Sequence, residues 1–182
     1  NPHQLGALYS QNKKNKLEQI HGKTLSYNNY NDILAAITIS KSLPKNIGTV
    51  IVKHGNPCGV SALKNNIDSY KSALETDPIS AFGGIVSCNY KVTQKLASML
   101  NKIFLEVVVA NGFDKKALKV LKSKKNLRLI DSSKISFSEV WKFNSLDNFT
   151  LMQSEDKKKI SKKDFRIVSK RKPSKSQFDN LM

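Results

Sequence analysis

Thr49-Val50-Ile51-Val52-Lys53-His54-Gly55-Asn56-Pro57-Cys58-Gly59-Val60 is the stretch from which the fold is read. Its first four residues form a short β-branched run, the composition of a strand buried on both faces. The glycines and proline between His54 and Gly59 then predict a loop. Upstream, residues 31–43 set Ile33, Leu34, Ile37 and Leu43 at helical spacing, with Pro44 just past the end. Downstream the alternation continues. Ile67 to Leu74 reads as a helix closed by Asp77-Pro78, Gly84 to Cys88 as a strand, and Thr93 to Leu100 as a helix. Phe104-Leu105-Glu106-Val107-Val108-Val109 is the strongest strand in the chain. A loop at Asn111-Gly112 follows, then a helix from an Asp114 cap through Leu121, then a strand from Leu127 to Ile130.

Continuous apolar strands separated by helices of about ten residues predict a mainly parallel sheet covered by helices on both faces. Ligands of such sheets bind at the carboxyl ends of the strands, which directs attention to residues 53–59, 80–84 and 110–113. Beyond residue 132 the periodicity decays. Residues 153–163 are a charge run with one isoleucine and read as a solvated linker, while Phe165 to Ser169 reads as one more short strand.

A length of 182 residues with 39% apolar side chains is enough for one core of good size plus a tail. No run approaches the length of a membrane-spanning helix, and the first residues lack the make-up of a secretory leader. Cys58 and Cys88 match no zinc or redox spacing, so the reading is a reducing, cytoplasmic compartment without membrane or metal. The chain begins at Asn1 without an initiator methionine and breaks off at Met182, and so reads as a segment of something longer.

The formal charge of +17 raises nucleic acid as a partner. Its distribution argues against that. Residues 1–120 carry 15 basic and 7 acidic side chains, and the shorter stretch 121–182 carries 16 and 7. Only Arg128, Arg166 and Arg171 offer the bidentate fork that phosphate and base recognition favours. A lysine-rich solvated surface is the plainer account.

Chemistry concentrates at Lys53 and His54. A strand delivers both into a loop bounded by glycine and proline, where a backbone can approach a ligand closely. Histidine is suited to taking a proton near neutrality, and a neighbouring ammonium disfavours the imidazolium and so keeps the ring a base. The lysine could also stabilise an oxyanion. By themselves the two residues fit a hydrogen-bonded structural histidine better, and the loop context brings the two readings level.

The string VIVKHGNPCGV resembles the matching segment of the AICAR transformylase family, the bifunctional purine biosynthesis proteins whose other activity is IMP cyclohydrolase. Further stretches agree in order and spacing. Asn1-Pro2-His3-Gln4 resembles the end of the family's RYGENPHQ motif, and residues 21–29 its Q-GK-LSYNN segment. Residues 76–86 are similar to TDP-SAFGGI, Phe104 to Ala110 to F-EVI-AP, and Val168 to Pro173 to VVTKR-P.

The resemblance implies a three-layer α/β/α sandwich like that of cytidine deaminases, present twice in the full transformylase domain and only once here. Residues 1–131 would form this first subdomain. Residues 132–182 would be an irregular basic linker leading toward a second one. It implies transfer of the formyl group of 10-formyltetrahydrofolate, a cosubstrate, to the 5-amino group of AICAR, without metal, in a cytoplasmic homodimer. In the family the residues matching His54 and Lys53 are catalytic. Those matching Asn1, His3 and Gly112 are implied as substrate-binding. The Arg-Tyr that precedes Asn1 in the family, the KSN motif, the folate contacts and the cyclohydrolase domain are all missing from the segment, which is therefore expected to be inactive alone. Asn111 replaces a common proline, and no role is carried onto Asp131.

Plainer readings stand beside these. Cys58 follows Pro57 as in zinc deaminases, but no second cysteine follows at the needed spacing, so a packed thiol is expected. Phe82-Gly83-Gly84 could cradle a phosphate or simply turn the chain. Tyr27, Asn28, Asn29 and Asp32 read as caps of the following helix. His21 reads as a surface residue without chemistry. The competing functional readings are a basic nucleic-acid-binding module on residues 122–175 and an inactive structural remnant.

Overall fold

A computed structural model of the chain describes residues 3–9, 17–135, 141–156, 158 and 160–181. The chain divides into two compact units, residues 1–136 and 137–182.

The first unit runs β1 (Glu18–His21), α1 (Tyr27–Ser42), β2 (Gly48–Lys53), β3 (Asn56–Ala62), α2 (Asn66–Thr76), β4 (Gly84–Cys88), α3 (Gln94–Leu100), β5 (Leu105–Ala110), α4 (Lys115–Leu121) and β6 (Arg128–Asp131). The strands form one sheet in the order β1-β6-β5-β4-β2-β3. Alternation along the strands sorts its side chains to two faces. Val50, Val52, Ile85, Val107, Val109 and Ile130 pack against Ile33, Ala36 and Ile37 of α1. Ile51, Val86, Val108 and Leu129 pack against Tyr70, Leu96, Leu100 and Leu121 of the other three helices. The α/β/α sandwich predicted from the sequence is thus present, with one helix on one face and three on the other. Each fully buried isoleucine or valine here contributes about 1.5–3 kcal/mol of hydrophobic stabilisation.

The sheet is mixed, which corrects the expectation of mainly parallel strands. β4-β5 and β5-β6 are parallel, joined through α3 and α4 as the alternation predicts. β2 runs antiparallel to both β3 and β4, and β1 antiparallel to β6. The cause lies at residues 54–59, read as loop but in fact a two-residue turn followed by β3. Two residues leave no room for a crossover, so the next strand must return beside the first. Pro57 is tolerated because β3 is an edge strand. Gly59 is required by close packing, since a Cβ there would stand 1.8 Å from the Ala73 carbonyl oxygen of α2.

α1 starts four residues earlier than the periodicity implies. Ser26 caps it, accepting from the Asn29 amide at 3.2 Å, while the Asn29 side chain accepts from the Ser26 amide at 3.1 Å. Asp114 precedes α4 at the cap position, but its carboxylate makes no capping bond and pairs with Lys91 at 2.9 Å.

The second unit differs more from the expected linker. β7 (Trp141–Leu146) and β8 (Phe149–Ser154) form an antiparallel hairpin turning at Asp147 and Asn148. Gln153 and Ser154, assigned to a charged linker, close β8; Lys157 and Lys159 of that run lie outside the described residues. Phe165 to Ser169 forms no strand. A capping box between Ser174 and Gln177 starts α5 (Lys175–Asn180), and Phe178 meets Phe165 edge-on at 6.0 Å. The groove between these segments, about 780 Å³, is lined by Phe165, Ile167, Val168, Pro173, Phe178 and their neighbours and holds none of the candidate catalytic residues.

Candidate active site

Lys53 ends β2 and Asn56 begins β3, so His54 and Gly55 are the two central residues of a hairpin turn. Both have positive φ, 61° and 77°, the geometry of a type I′ turn. Such turns favour Asn-Gly. Histidine at the first position is tolerated but uncommon. The turn is held from outside: the Asp32 carboxylate of α1 accepts the His54 amide at 3.2 Å and the Gly55 amide at 2.7 Å. The Asn56 side chain donates to the His54 carbonyl at 3.2 Å. His54 itself is exposed, and Lys53 is half-buried.

The Lys53 ammonium donates to the Phe82 carbonyl at 2.7 Å, on the loop that enters β4. That loop is built from Asp77, whose carboxylate accepts the Ser80 amide at 3.0 Å. Hydrogen bonds from the Ser80 side chain and amide hold the Asp77 carboxyl below the usual carboxylate range. Gly83 adopts φ +73° and donates to the Phe104 carbonyl at 2.8 Å. A Cβ there would make only ordinary contacts, 3.6 Å from the Phe104 ring and 4.0 Å from the Lys53 ammonium, so it is the positive φ that favours glycine. Phe82 and Phe104, their rings 5.3 Å apart, are 60% and 50% exposed beside it.

One strand further, the register between β4 and β5 shifts at Gly84/Ile85, which leaves Glu106 as an extra residue in β5. Its carboxylate turns to α1, accepting from the Asn29 side chain at 2.7 Å, with Arg128 at 3.7 Å. Arg128 is fixed in turn by a 3.1 Å bond to the Thr24 carbonyl. Successive turns of α1 therefore supply Asn29 to Glu106 and Asp32 to the His54 turn.

Cys58 occupies a second bulge, between the pairs Ile51–Gly59 and Val52–Pro57. Partial burial and then the nearby Asp77 charge push its thiol up, against the opposing pull of Lys53. It is a packed thiol. Among the described residues, no group of three or more His, Cys, Asp or Glu could hold a metal.

The predicted site residues separate into groups. Lys53 and His54 come together. Residues 53–59 and 80–84 share one end of the sheet, because β2 is antiparallel to β4 and Val52 pairs with Ile85. Gly112 lies at the other end: β5 is parallel to β4, and Ala110 pairs with Cys88, which pairs with Thr49 at the start of β2. Within one chain, Gly112 therefore lies away from Lys53 and His54. It instead accepts the Val92 amide at 3.0 Å, beside a cleft of about 720 Å³ lined by Lys91, Lys95, Lys115 and Lys116. His3 is exposed, and the residues after it, Gln4 to Gly6, face Ser26 to Asn28 at the start of α1. A cavity of about 290 Å³ between residues 6–8 and α1 reaches Asn31, which borders Gly55. Asn1 lies outside the described residues. The sequence reading had marked Phe82–Gly83 as a possible phosphate cradle but missed the bond from Lys53 to the Phe82 carbonyl and the part played by Asp32. The Asp32 spacing from Asn29 along one helix face was the available clue.

The family described as the AICARFT/IMPCHase bienzyme matches residues 1–182. The chain belongs to that family. Proteins named bifunctional purine biosynthesis protein PurH are similar over its whole length: 37% identical in Acetivibrio thermocellus, 39% in a Thermoanaerobacter species and 40% in Bacillus cereus. The chain spans 36–37% of the length of these bienzyme relatives. Among solved structures, the apo dCMP deaminase of cyanophage S-TIM5 is 14% identical with a TM-score of 0.40, covering 53% of this chain and 91% of that one. Among the described residues of this bienzyme-family chain, no helix is long and apolar enough to cross a membrane.

Proposed function

We propose that the chain is the first subdomain of the formyltransferase half of such a bifunctional enzyme. It would act in the cytoplasm, as part of a homodimer, on AICAR and 10-formyltetrahydrofolate. The observation that carries this reading is the Lys53–His54 pair held at a clamped turn facing Phe82–Gly83, in a chain of this family.

The 5-amino group of AICAR is a poor nucleophile because its lone pair is delocalised into the imidazole and carboxamide. Attack on the formyl carbon therefore needs a base to remove the amine proton as the bond forms, and a cation to stabilise the tetrahedral oxyanion. The exposed His54 imidazole supplies the base. The Lys53 ammonium has three donors and spends one on Phe82, which leaves two for the oxyanion. The open backbone at Gly83 and the exposed Phe82–Phe104 pair suit a planar base beside them.

Asn1 and His3 are proposed as substrate contacts. Gly112 could serve this site only from another copy of the chain, given its position at the far end of the sheet. The folate contacts are assigned to sequence beyond this segment, which is therefore expected to be inactive alone. The test is formyl transfer by the complete enzyme: tetrahydrofolate release that requires both AICAR and 10-formyltetrahydrofolate supports the reading, and release independent of AICAR contradicts it.

A further inference from the structure

We propose that Asp32 is the positioning residue of the catalytic turn, its carboxylate clamping the His54 and Gly55 amides so that the imidazole is presented from a backbone conformation histidine rarely adopts. The inference rests on the reading of His54 as the base.

Three observations carry it. Both carboxylate oxygens are used, one on each of two consecutive amides, at 3.2 and 2.7 Å. The clamp comes from 22 and 23 residues away, from a different element, so it is not a local turn preference. Its own backbone is fixed: Asp32 precedes Ile33, which is fully buried in the core beneath α1, and follows the Ser26–Asn29 capping box by less than one turn.

The turn needs such support. A type I′ turn demands positive φ at both positions, which Asn-Gly meets without strain and His-Gly does not. Two amides pointing outward from consecutive positive-φ residues form a small concavity for an anion. Asp32 fills it with a side chain rather than leaving it to solvent.

The test compares Asp32→Ala, Asp32→Asn, His54→Ala and the double variant Asp32→Ala/His54→Ala in the complete enzyme. Asp32→Ala is expected to lower kcat on the order of a hundredfold, the scale of a small misplacement of a catalytic group, with KM for AICAR little changed. Asp32→Asn, which keeps one acceptor, should fall between it and the parent. Adding Asp32→Ala to His54→Ala should cost nothing further, because the clamp acts only through the imidazole. Amide hydrogen exchange should accelerate at His54 and Gly55 and stay unchanged at Val50 to Val52. Should Asp32→Ala fail to fold, Asp32→Asn carries the same comparison.

An Asp32→Ala kcat within about twofold of the parent overturns the proposal, as does an equal loss in the His54→Ala background. Faster exchange throughout Val50 to Val52 also overturns it, by showing a general structural role. If His54→Ala alone leaves kcat intact, the reading of His54 fails. If His54→Ala is inactive and Asp32→Ala is not, only the clamp fails.

Discussion

Lys53 and Phe82, 29 residues apart, are joined at one end of the sheet by a 2.7 Å hydrogen bond from the lysine ammonium to the phenylalanine carbonyl. The bond ties the end of β2 to the loop entering β4, and in the proposed reaction the same ammonium would also stabilise the oxyanion. Lys53→Met keeps the aliphatic stem and removes both. It is expected to slow formyl transfer and also to weaken AICAR binding, because the loop at 79–84 loses its tether. Steady-state kinetics and calorimetric AICAR binding on the complete enzyme check this. Loss of neither would show the ammonium to be a surface charge.

Gly83 tests the same loop from the backbone. At φ +73° an alanine is disfavoured by about 1–2 kcal/mol. Its methyl would also stand against the Phe104 ring, 3.6 Å away. Gly83→Ala should lower the urea midpoint accordingly and reduce AICAR affinity. Unchanged affinity in a folded variant would remove Gly83 from the proposed AICAR site.

Gly59 is a matter of packing alone. Its substitution by alanine drives a methyl into the Ala73 carbonyl, and neither the edge strand nor α2 can yield without disturbing the core. Overpacking of this kind typically costs about 1–3 kcal/mol. Chemical denaturation of Gly59→Ala should show a loss at the upper end of that range, and a loss under about 0.5 kcal/mol would mean that α2 shifts freely.

The buried ionisable side chains set a limit on alkaline stability. Burial pushes the Cys88 thiol up to about 12 from 9.0, and the Tyr70 hydroxyl up to about 12 from 10.0. Burial also pushes Tyr90 up, with the Cys88 charge adding to it. All three are neutral in the folded core and ionise at lower pH once unfolded. Their contribution is complete below about pH 9 and declines as pH rises from there toward 12. Urea midpoints should hold steady up to that point and fall beyond it. A midpoint that stays flat through the alkaline range would contradict the burial of these groups.

Much of the first unit was legible because its strands are continuous apolar runs and its helices carry clear periodicity and caps. Gly84–Cys88 matches the sequence reading residue for residue, and α3 begins directly after the Thr93 cap. The mixed sheet was not legible, because Asn56-Pro57-Cys58-Gly59 has loop composition. Its strand character comes from pairing with β2 and from the edge position that excuses Pro57. The β7–β8 hairpin was missed since all twelve of its strand residues are exposed, so no burial pattern marks it. The two six-residue runs around Asp147-Asn148 were the remaining clue. Lys53 and His54 stood out by residue type. Asp32 did not, since an acid near a helix start reads first as a cap. Residues 110–113 were grouped with 53–59 and 80–84 on the premise that all strand ends point one way, and antiparallel β2 breaks that premise; the substrate role of Gly112 itself came from the resemblance alone.

The central claim is that His54 acts as the base in the transition state, and the most direct measurement is the kcat and the AICAR dissociation constant of His54→Ala in the complete enzyme. The amine develops positive charge only as the bond to the formyl carbon forms, so the base contributes mainly there. The expected result is a fall in kcat on the order of a hundred- to ten-thousand-fold. AICAR affinity, spread over many contacts, should change far less. A kcat within about threefold of the parent, below the range of general-base catalysis, would contradict the account and leave His54 a residue of the turn alone.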